Sequence, residues 1–134
     1  MKKIALVLIS HGKMAEETLK SAQMIAGHID GAYSISMDEK EGAEGVARKI
    51  REVMDDLKNY ESILVMVDLI GGTPSNVAVK ELFKANHVEI VSGFNLGMVL
   101  EFATSSLQDI GQLKDYLIEI GKNGIKDVFG EMRK

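Results

Sequence analysis

The stretch IALVLISHG, residues 4–12, decides the fold of this chain. Residues 4–9 are continuously apolar rather than alternating, which is typical of a parallel strand covered on both faces. The run is too short to span a membrane. It ends at Ser10-His11-Gly12 without the small-residue cleavage site of a secretory signal. We therefore predict a buried first strand that ends in polar residues, in a cytoplasmic protein.

Composition limits the classes of function that are open to the chain. Its 134 residues suit a single domain spanning 1–134, and 46% hydrophobic with 27% charged residues is the balance of a globular protein. A net charge of −4 without a Lys/Arg block argues against binding nucleic acid, whose phosphates repel an acidic surface. The absence of cysteine excludes disulfides, thiolate metal sites and cysteine nucleophiles.

Apolar residues at helical spacing alternate with further strand-like runs. Residues 14–26 predict a helix that stops at Gly27, and residues 46–57 fit the i, i+3, i+4, i+7 pattern closely. Thr73 resembles an N-cap, with Pro74 at the first helical position. Further strands are predicted at 33–36, 62–67, 88–92 and 125–129, and further helices from Pro74 through Phe83, from Asn95 through Phe102, and from an Asp109 cap through Ile120.

This alternation predicts an α/β fold, with a mainly parallel sheet between two layers of helices. In such α/β/α sheets, ligands bind at the carboxyl ends of the strands, where the strand order reverses. For the order 2-1-3-4, that crevice lies between the first and third strands. Three loops then converge there, at residues 10–12, 68–75 and 93–95.

His11 and Asp68 follow the two strands that border this crevice. A neutral imidazole is a good nucleophile at physiological pH when one tautomer is fixed. Asp68 is positioned to accept a hydrogen bond from one ring nitrogen, which leaves the other nitrogen free to react. A lone histidine at a strand end is more often a structural residue, and the pairing with Asp68 favours a function. We interpret the two residues as a catalytic pair.

The loop after Asp68 has the composition of an anion site. Gly71 and Gly72 allow backbone N–H groups to point inward, and a helix that begins near Thr73 adds its positive end and a hydroxyl. A Gly-Gly-Thr-Pro run is also an ordinary turn and cap, so it gains meaning only opposite a histidine. We predict that Gly71, Gly72 and Thr73 bind phosphate.

Several familiar motifs are absent from the sequence. Neither a Walker A sequence nor G-x-G-x-x-G is present, so nucleotide binding has no support. No acidic pair follows the first strand, which argues against a magnesium-dependent aspartyl-phosphate receiver. No arginine lies near His11 in the chain, which argues against a histidine phosphatase. Phosphate carried on imidazole needs neither metal nor cofactor, and we expect neither.

The chain resembles the enzyme IIA component of the mannose/fructose/sorbose family of the bacterial phosphoenolpyruvate-dependent sugar phosphotransferase system. The likeness covers essentially the whole chain, and the combination of motifs is specific although each motif alone is not. It rests on the strand leading into His11-Gly12, on Val67-Asp68 followed by Gly71-Gly72-Thr73-Pro74 and Asn76, and on Ser92-Gly93-Phe94-Asn95.

The resemblance implies a phosphotransferase component that carries phosphate on His11. The donor would be the phosphocarrier protein HPr, and the acceptor would be a histidine on the enzyme IIB subunit, which we expect to be a separate protein. Asp68 would orient the ring, and the hydroxyl of Thr73 would hold phosphoryl oxygens; many family members carry serine there. Sugar uptake and phosphorylation would follow downstream, and the sequence does not identify the sugar.

The same resemblance implies how the protein assembles. The family forms homodimers in which a C-terminal strand pairs with the partner's sheet, so we expect residues 125–129 to form an antiparallel strand that is exchanged in a dimer. Membrane sugar permease subunits would be engaged only indirectly. We expect the protein to be cytoplasmic, or peripheral to that permease complex.

Apolar and polar side chains in or beside the active loops have two interpretations. They either pack locally or form a surface for partner docking around the histidine. These residues are Leu69, Ile70, Phe94, Asn95 and Met98.

Three other functions remain open on the sequence. The phosphotransfer subunit of dihydroxyacetone kinase is similar in fold and also uses a strand-end histidine, although the Gly-Gly-Thr-Pro loop favours the sugar-transport branch. A tetrapyrrole metal chelatase would require a second metal-facing histidine, and His87 is predicted at the wrong edge. In a non-catalytic module for a small anion, His11 would contribute only charge.

Overall fold

The computed structural model describes residues 3–134, so residues 1 and 2 of the predicted 1–134 domain lie outside it. Strands and helices alternate through most of this range. The elements are β1 (Ile4–His11), α1 (Met14–Ala26), β2 (Ala32–Met37), α2 (Gly42–Asp56), β3 (Ser62–Val67), α3 (Thr73–Leu82), β4 (Val88–Ser92), α4 (Leu96–Thr104), α5 (Ile110–Asn123) and α6 (Val128–Met132).

A parallel sheet of four strands runs through the centre of the described chain, in the order β2-β1-β3-β4. β1 pairs in parallel with β2 on one side and with β3 on the other, and Ile9 lies opposite both Ile35 and Val67. β4 pairs in parallel with the outer side of β3. Because β1 and β3 are neighbours although β2 lies between them in the chain, the strand order reverses where they meet.

Each face of the sheet has its own hydrophobic core. Leu6 and Leu8 of β1 pack with residues of α1, α4 and α5 on one face. Val7 and Ile9 pack with residues of α2 and α3 on the other. Residues 4–10 are fully buried. This burial on both faces of the sheet explains why residues 4–9 are continuously apolar. The predicted α/β class, three layers and strand order 2-1-3-4 are confirmed.

The ends of two helices agree with the signals in the sequence. α1 ends before Gly27, whose φ of 81° lies in the left-handed region that glycine adopts without strain. The Asp109 carboxylate accepts a hydrogen bond from the N–H of Gln112 at 2.9 Å and so caps α5 as predicted. Within residues 3–134, no helix has both the length and the apolar character that crossing a lipid bilayer requires.

α3 begins one residue earlier than predicted. Gly72, not Thr73, is the N-cap, and Thr73 is the first helical residue, followed by Pro74. The carbonyl of Gly72 accepts the N–H of Asn76 at 2.9 Å, which closes the first turn without a side-chain cap. Proline at the second helical position is acceptable because the N–H groups of the first turn have no intrahelical partner.

The strand predicted at 125–129 is wrong. Residues 125–127 have no regular structure, and α6 begins at Val128. The Asp127 carboxylate accepts the N–H of Gly130 at 3.0 Å, which stabilises the start of this helix. The strands of the described chain are all parallel and none of them offers this segment an antiparallel partner. Its apolar side chains are therefore left exposed.

Two phenylalanine substitutions compare a buried position of the core with an exposed position. Phe102 of α4 is fully buried against the sheet, whereas Phe83 lies just after α3 and is largely exposed. We expect Phe102→Ala to lower the free energy of unfolding by about 3–5 kcal/mol, because it leaves a cavity in the core. Phe83→Ala should change it by less than about 0.5 kcal/mol. Denaturant unfolding followed by circular dichroism measures both, and equal losses would contradict this account of the core.

Candidate active site

One carboxylate joins the carboxyl ends of the two central strands. Asp68 follows β3, and its N–H donates to the carbonyl of Ile9 in β1 at 3.1 Å. Its Oδ2 accepts the backbone N–H of His11 at 2.9 Å and lies 2.7 Å from Nδ1 of the same ring. Its Oδ1 accepts the N–H of Leu69 at 2.9 Å. The predicted pairing of His11 with Asp68 is therefore present in the structure.

The Asp68 carboxylate is held in its ionised form. Burial raises the pKa of this carboxyl, but the hydrogen bonds from the backbone and ring of His11 and from the N–H of Leu69 lower it by more. The net result is a pKa below the usual value for aspartate. Only 7% of the Asp68 side chain is exposed, so water competes little for these hydrogen bonds.

This ionised partner fixes the tautomer of His11. A carboxylate can only accept hydrogen bonds, so Nδ1 must carry the proton in the 2.7 Å contact. The lone pair of the neutral ring is then on Nε2. The His11 side chain is 44% exposed, which leaves its reactive edge accessible to another molecule. The arrangement is that of an oriented nucleophile.

The start of α3 lies against the reactive edge of the ring. A Cβ atom placed on Gly72 would come within 2.9 Å of Cε1 and 3.5 Å of Nε2 of His11, so glycine is what permits this approach. The free N–H groups of a helix start bind anions. Here Pro74 has no N–H, which leaves those of Thr73 and Ser75 in the first turn. Gly71 turns the chain into the helix with a φ of 86°.

Ser10 is a residue of the site that the sequence reasoning missed. It is fully buried, its hydroxyl accepts the N–H of Ala15 at 2.7 Å, and it lies 3.2 Å from the carbonyl of Gly12. The hydroxyl therefore ties the start of α1 to the loop that carries His11. A serine at the end of an otherwise apolar buried run was the available signal, because a buried hydroxyl needs hydrogen-bond partners.

The structure divides the predicted docking residues into two groups. Leu69 and Ile70 are 52% and 79% exposed beside the histidine, as a docking surface requires. Phe94 and Met98 are buried in the core, so their predicted place on a docking surface is wrong. Asn95 caps α4 by accepting the N–H of Met98 at 3.1 Å and also donates to the carbonyl of Gly121 at 3.2 Å, so its amide is occupied.

The remaining histidines lie away from this pair. His87 precedes β4 and lines a cleft with Ile63 and Val88, at the opposite end of the strands from His11. His28 is exposed beyond α1 and contacts Asp30 at 3.1 Å. Among residues 3–134, no cluster of three or more possible metal ligands occurs. The second histidine that a chelatase would need is not at this crevice.

The fold and the site define an open α/β domain with one oriented histidine at the point where the strand order reverses. A family model described as "PTS system fructose IIA component" matches residues 5–117. The chain belongs to this family of phosphotransferase system IIA components, which are transferase-type components. The resemblance stated from the sequence motifs is thereby confirmed.

Several curated proteins are similar to the chain. The mannose-specific EIIAB component of Escherichia coli K12 is 30% identical over 92% of this chain. That match covers 39% of the EIIAB component, so the chain spans about two fifths of this relative's length. The sorbose-specific EIIA component of Lacticaseibacillus casei is 28% identical over 86% of this chain and 83% of its own length.

Solved structures resemble the chain over nearly its full length. The mannose/sorbose-specific IIA subunit of the phosphotransferase system from Enterococcus faecalis has a TM-score of 0.87 and 38% identity, and the match covers 95% of each chain. The phosphotransferase component EIIA from Streptococcus agalactiae has a TM-score of 0.86 and 27% identity, over 95% of this chain and 98% of the other. Both support the family and the fold.

The lowered pKa of Asp68 gives a prediction for stability against pH. A carboxyl whose pKa is lower in the folded than in the unfolded protein stabilises the fold above its unfolded pKa, and this contribution disappears as the pH falls through the folded pKa. We expect Asp68→Asn to cost about 1–3 kcal/mol at neutral pH, since three hydrogen bonds lose their charged acceptor. The cost should begin to shrink below about pH 4, where the carboxyl of the unfolded parent takes up a proton, and should disappear as the pH falls through the lower pKa of the folded parent.

Chemical denaturation across this pH range measures the effect. Asp55→Asn removes an exposed carboxylate from α2 and is the matched control, which should leave the pH dependence unchanged. A constant difference between the Asp68→Asn variant and the parent at every pH would contradict the ionised state of Asp68.

Proposed function

We propose that the chain is a phosphoryl carrier, which accepts phosphate from phospho-HPr on Nε2 of His11 and passes it to an enzyme IIB subunit. The observation that carries this proposal is the 2.7 Å contact between Nδ1 of His11 and Asp68, which leaves Nε2 unprotonated beside the start of α3. Membership of the IIA component family supports the same conclusion.

The transfer step follows from this geometry. The lone pair of Nε2 attacks the phosphorus of the donor's phosphohistidine, the new Nε2–P bond forms, and the donor's P–N bond breaks with its electron pair returning to the donor ring. Because Nδ1 of His11 keeps its proton, the phosphorylated ring gains positive charge. The Asp68 carboxylate, hydrogen bonded to that nitrogen, stabilises this charge. The reverse sequence delivers the phosphoryl group to the IIB subunit.

The start of α3 would hold the phosphoryl oxygens. Gly72 brings the helix within contact distance of the ring, and the N–H groups of the first turn favour negative charge. Thr73 adds a hydroxyl at the first helical position. Gly71, Gly72 and Thr73 therefore remain the proposed phosphate-binding residues.

Leu69 and Ile70 form the proposed contact surface for HPr and the IIB subunit. Both are exposed immediately after Asp68, so a partner that reaches Nε2 would cover them. Burial of exposed apolar side chains is favourable and needs no fixed geometry. This suits a carrier that must bind a donor and then an acceptor. The relatives are named for mannose, sorbose and fructose, and the proposed carrier role is the same for each sugar, because this chain would contact only phosphate and its protein partners.

The phosphorylation assay tests the carrier role directly. Incubation of the purified chain with phosphoenolpyruvate, enzyme I and HPr should produce one acid-labile, base-stable phosphate. His11→Ala should abolish labelling, and Asp68→Ala should slow it by about 10²-fold or more, because the ring loses its orientation and its counter-charge. His28→Ala is the control, since His28 is exposed away from the site. Full labelling of the His11→Ala variant would disprove the proposal.

A homodimer is the second part of this proposal. Ile125, Val128, Phe129 and Met132 are all largely exposed near the C-terminus, and β4 pairs with β3 on one side only within the described chain. Exposed apolar side chains grouped in this way are the kind of surface that a second copy of the chain could cover.

The oligomeric state tests this assembly. We expect the parent to sediment as a dimer, and a Phe129→Asp variant to dissociate, because a charge would then be buried in the interface. Asp127→Ala removes the cap of α6 but leaves the apolar side chains, so it should preserve the dimer. A monomeric parent at all accessible concentrations would contradict the assembly and leave the phosphoryl chemistry unaffected.

A further inference from the structure

A second cleft of about 580 Å³ lies beside His11, on the β2 side of β1. One wall is formed by His11, Gly12 and Lys13, and the other by residues 36–39 together with Lys49. The start of α3 contacts the ring from the β3 side. His11 therefore has a polar environment on both sides. The proposed phosphate-binding loop lies on the β3 side, and no role has yet been given to the residues on the β2 side.

The backbone that carries Lys13 is firmly held next to the histidine. Gly12 has a φ of 56°, and its N–H donates to the carbonyl of Met37 in β2 at 3.0 Å. The carbonyl of Lys13 accepts the N–H of Glu17 at 2.9 Å, which begins the first turn of α1. Lys13 is thus anchored two residues from His11 and lines the same cleft.

The two lysines of this cleft differ in what they bind. Lys49 donates to the carbonyl of Ser36 at 2.9 Å and pairs with Glu41 at 2.8 Å, so its charge is committed. Lys13 is exposed, and its ammonium makes no hydrogen bond or ion pair with any residue from 3 to 134. A cation kept next to a nucleophile without a partner is available to a ligand. An exposed lysine without contacts contributes little to stability.

The acidic residues of the cleft form no ion pair with this lysine. The carboxylate of Asp38 accepts the N–H of Lys40 at 2.8 Å, and Glu39 lies on the exposed loop after β2. Neither is paired with Lys13 within the described range. Lys13 therefore lines the cleft beside His11 as a cation without an ion-pair partner among residues 3–134.

We propose that Lys13 is a further catalytic residue, whose ammonium contacts the phosphoryl group on His11 from the side opposite the amides of α3. A phosphoryl group in transfer distributes negative charge over three oxygens, and the start of α3 can reach them from one side only. An ammonium donates up to three charge-assisted hydrogen bonds and tolerates the displacement of phosphorus between two nitrogens. The inference rests on the proposed carrier function.

A small phosphodonor separates this role from partner docking. With phosphoramidate, Nε2 attacks phosphorus, the Nε2–P bond forms, and the P–N bond of the reagent breaks to release ammonia, so no protein surface is involved. We expect Lys13→Gln to lower the labelling rate about 10-fold, Lys13→Arg to retain most of it, and Lys84→Gln to match the parent. Lys84 is an exposed lysine beyond the far end of α3, and its variant makes the same change in net charge.

Phosphorus NMR supplies a readout that does not depend on rate. A nearby ammonium favours the doubly ionised phosphoryl group, so Lys13→Gln should raise the phosphoryl pKa of phospho-His11 relative to the parent and to the Lys84→Gln variant. Thermal unfolding of the variant should be unchanged, because Lys13 makes no side-chain contact that the substitution would remove.

The possible outcomes distinguish the two proposals. Parental labelling of Lys13→Gln by phosphoramidate overturns the contact, and so does a defect seen only with HPr, since that would make Lys13 a docking residue. If phosphoramidate labels His11 and HPr does not, the carrier function fails while the effect of Lys13 on phosphoramidate labelling is still measured. A parent that neither reagent labels overturns both.

Discussion

The two hydrogen bonds that Oδ2 of Asp68 accepts from His11 connect the reactive ring to the framework of the sheet. One comes from the backbone of β1 and the other from the imidazole, so a single oxygen aligns the strand and the side chain together. The residues before His11 are fully buried between two cores, which leaves the strand little freedom to move. The orientation of the His11 ring therefore derives from core packing, and a flexible loop contributes little to it.

The strand order explains why one histidine can be approached by different groups on two sides. β1 is central, with β2 on one side and β3 on the other, and each neighbour brings its own following loop to the carboxyl end of β1. The loop after β3 supplies the orienting carboxylate and the start of α3. The loop after β2 forms the wall of the cleft that contains Lys13. A histidine on an edge strand would have had only one of these environments.

Much of this arrangement could be predicted from the sequence. The unbroken apolar run before Ser10 indicated a buried parallel strand, and the pairing of His11 with Asp68 followed from two strand ends that meet at one edge. The burial of Phe94 could not be predicted, because an apolar residue in a loop has the same pattern whether it faces the core or the solvent, and Met98 was grouped with it because it lies one turn into α4, beside that loop. Residues 125–129 do not form the expected strand, because the Asp127 carboxylate caps a helix that begins at Val128, a local signal that the resemblance to the family outweighed.

Gly72 carries a consequence for how this protein can diversify. Any side chain at that position would collide with the His11 ring, and Gly71 has a backbone conformation that other residues rarely adopt. Leu69 and Ile70 have no such restriction, since both are exposed on the same loop. The loop is therefore divided into a half that is fixed by its contact with His11 and its backbone conformation, and a half that is free to vary. A duplicated copy of the gene could change the exposed surface of this loop by substitutions confined to the free half, while the contact between Gly72 and His11 stayed the same.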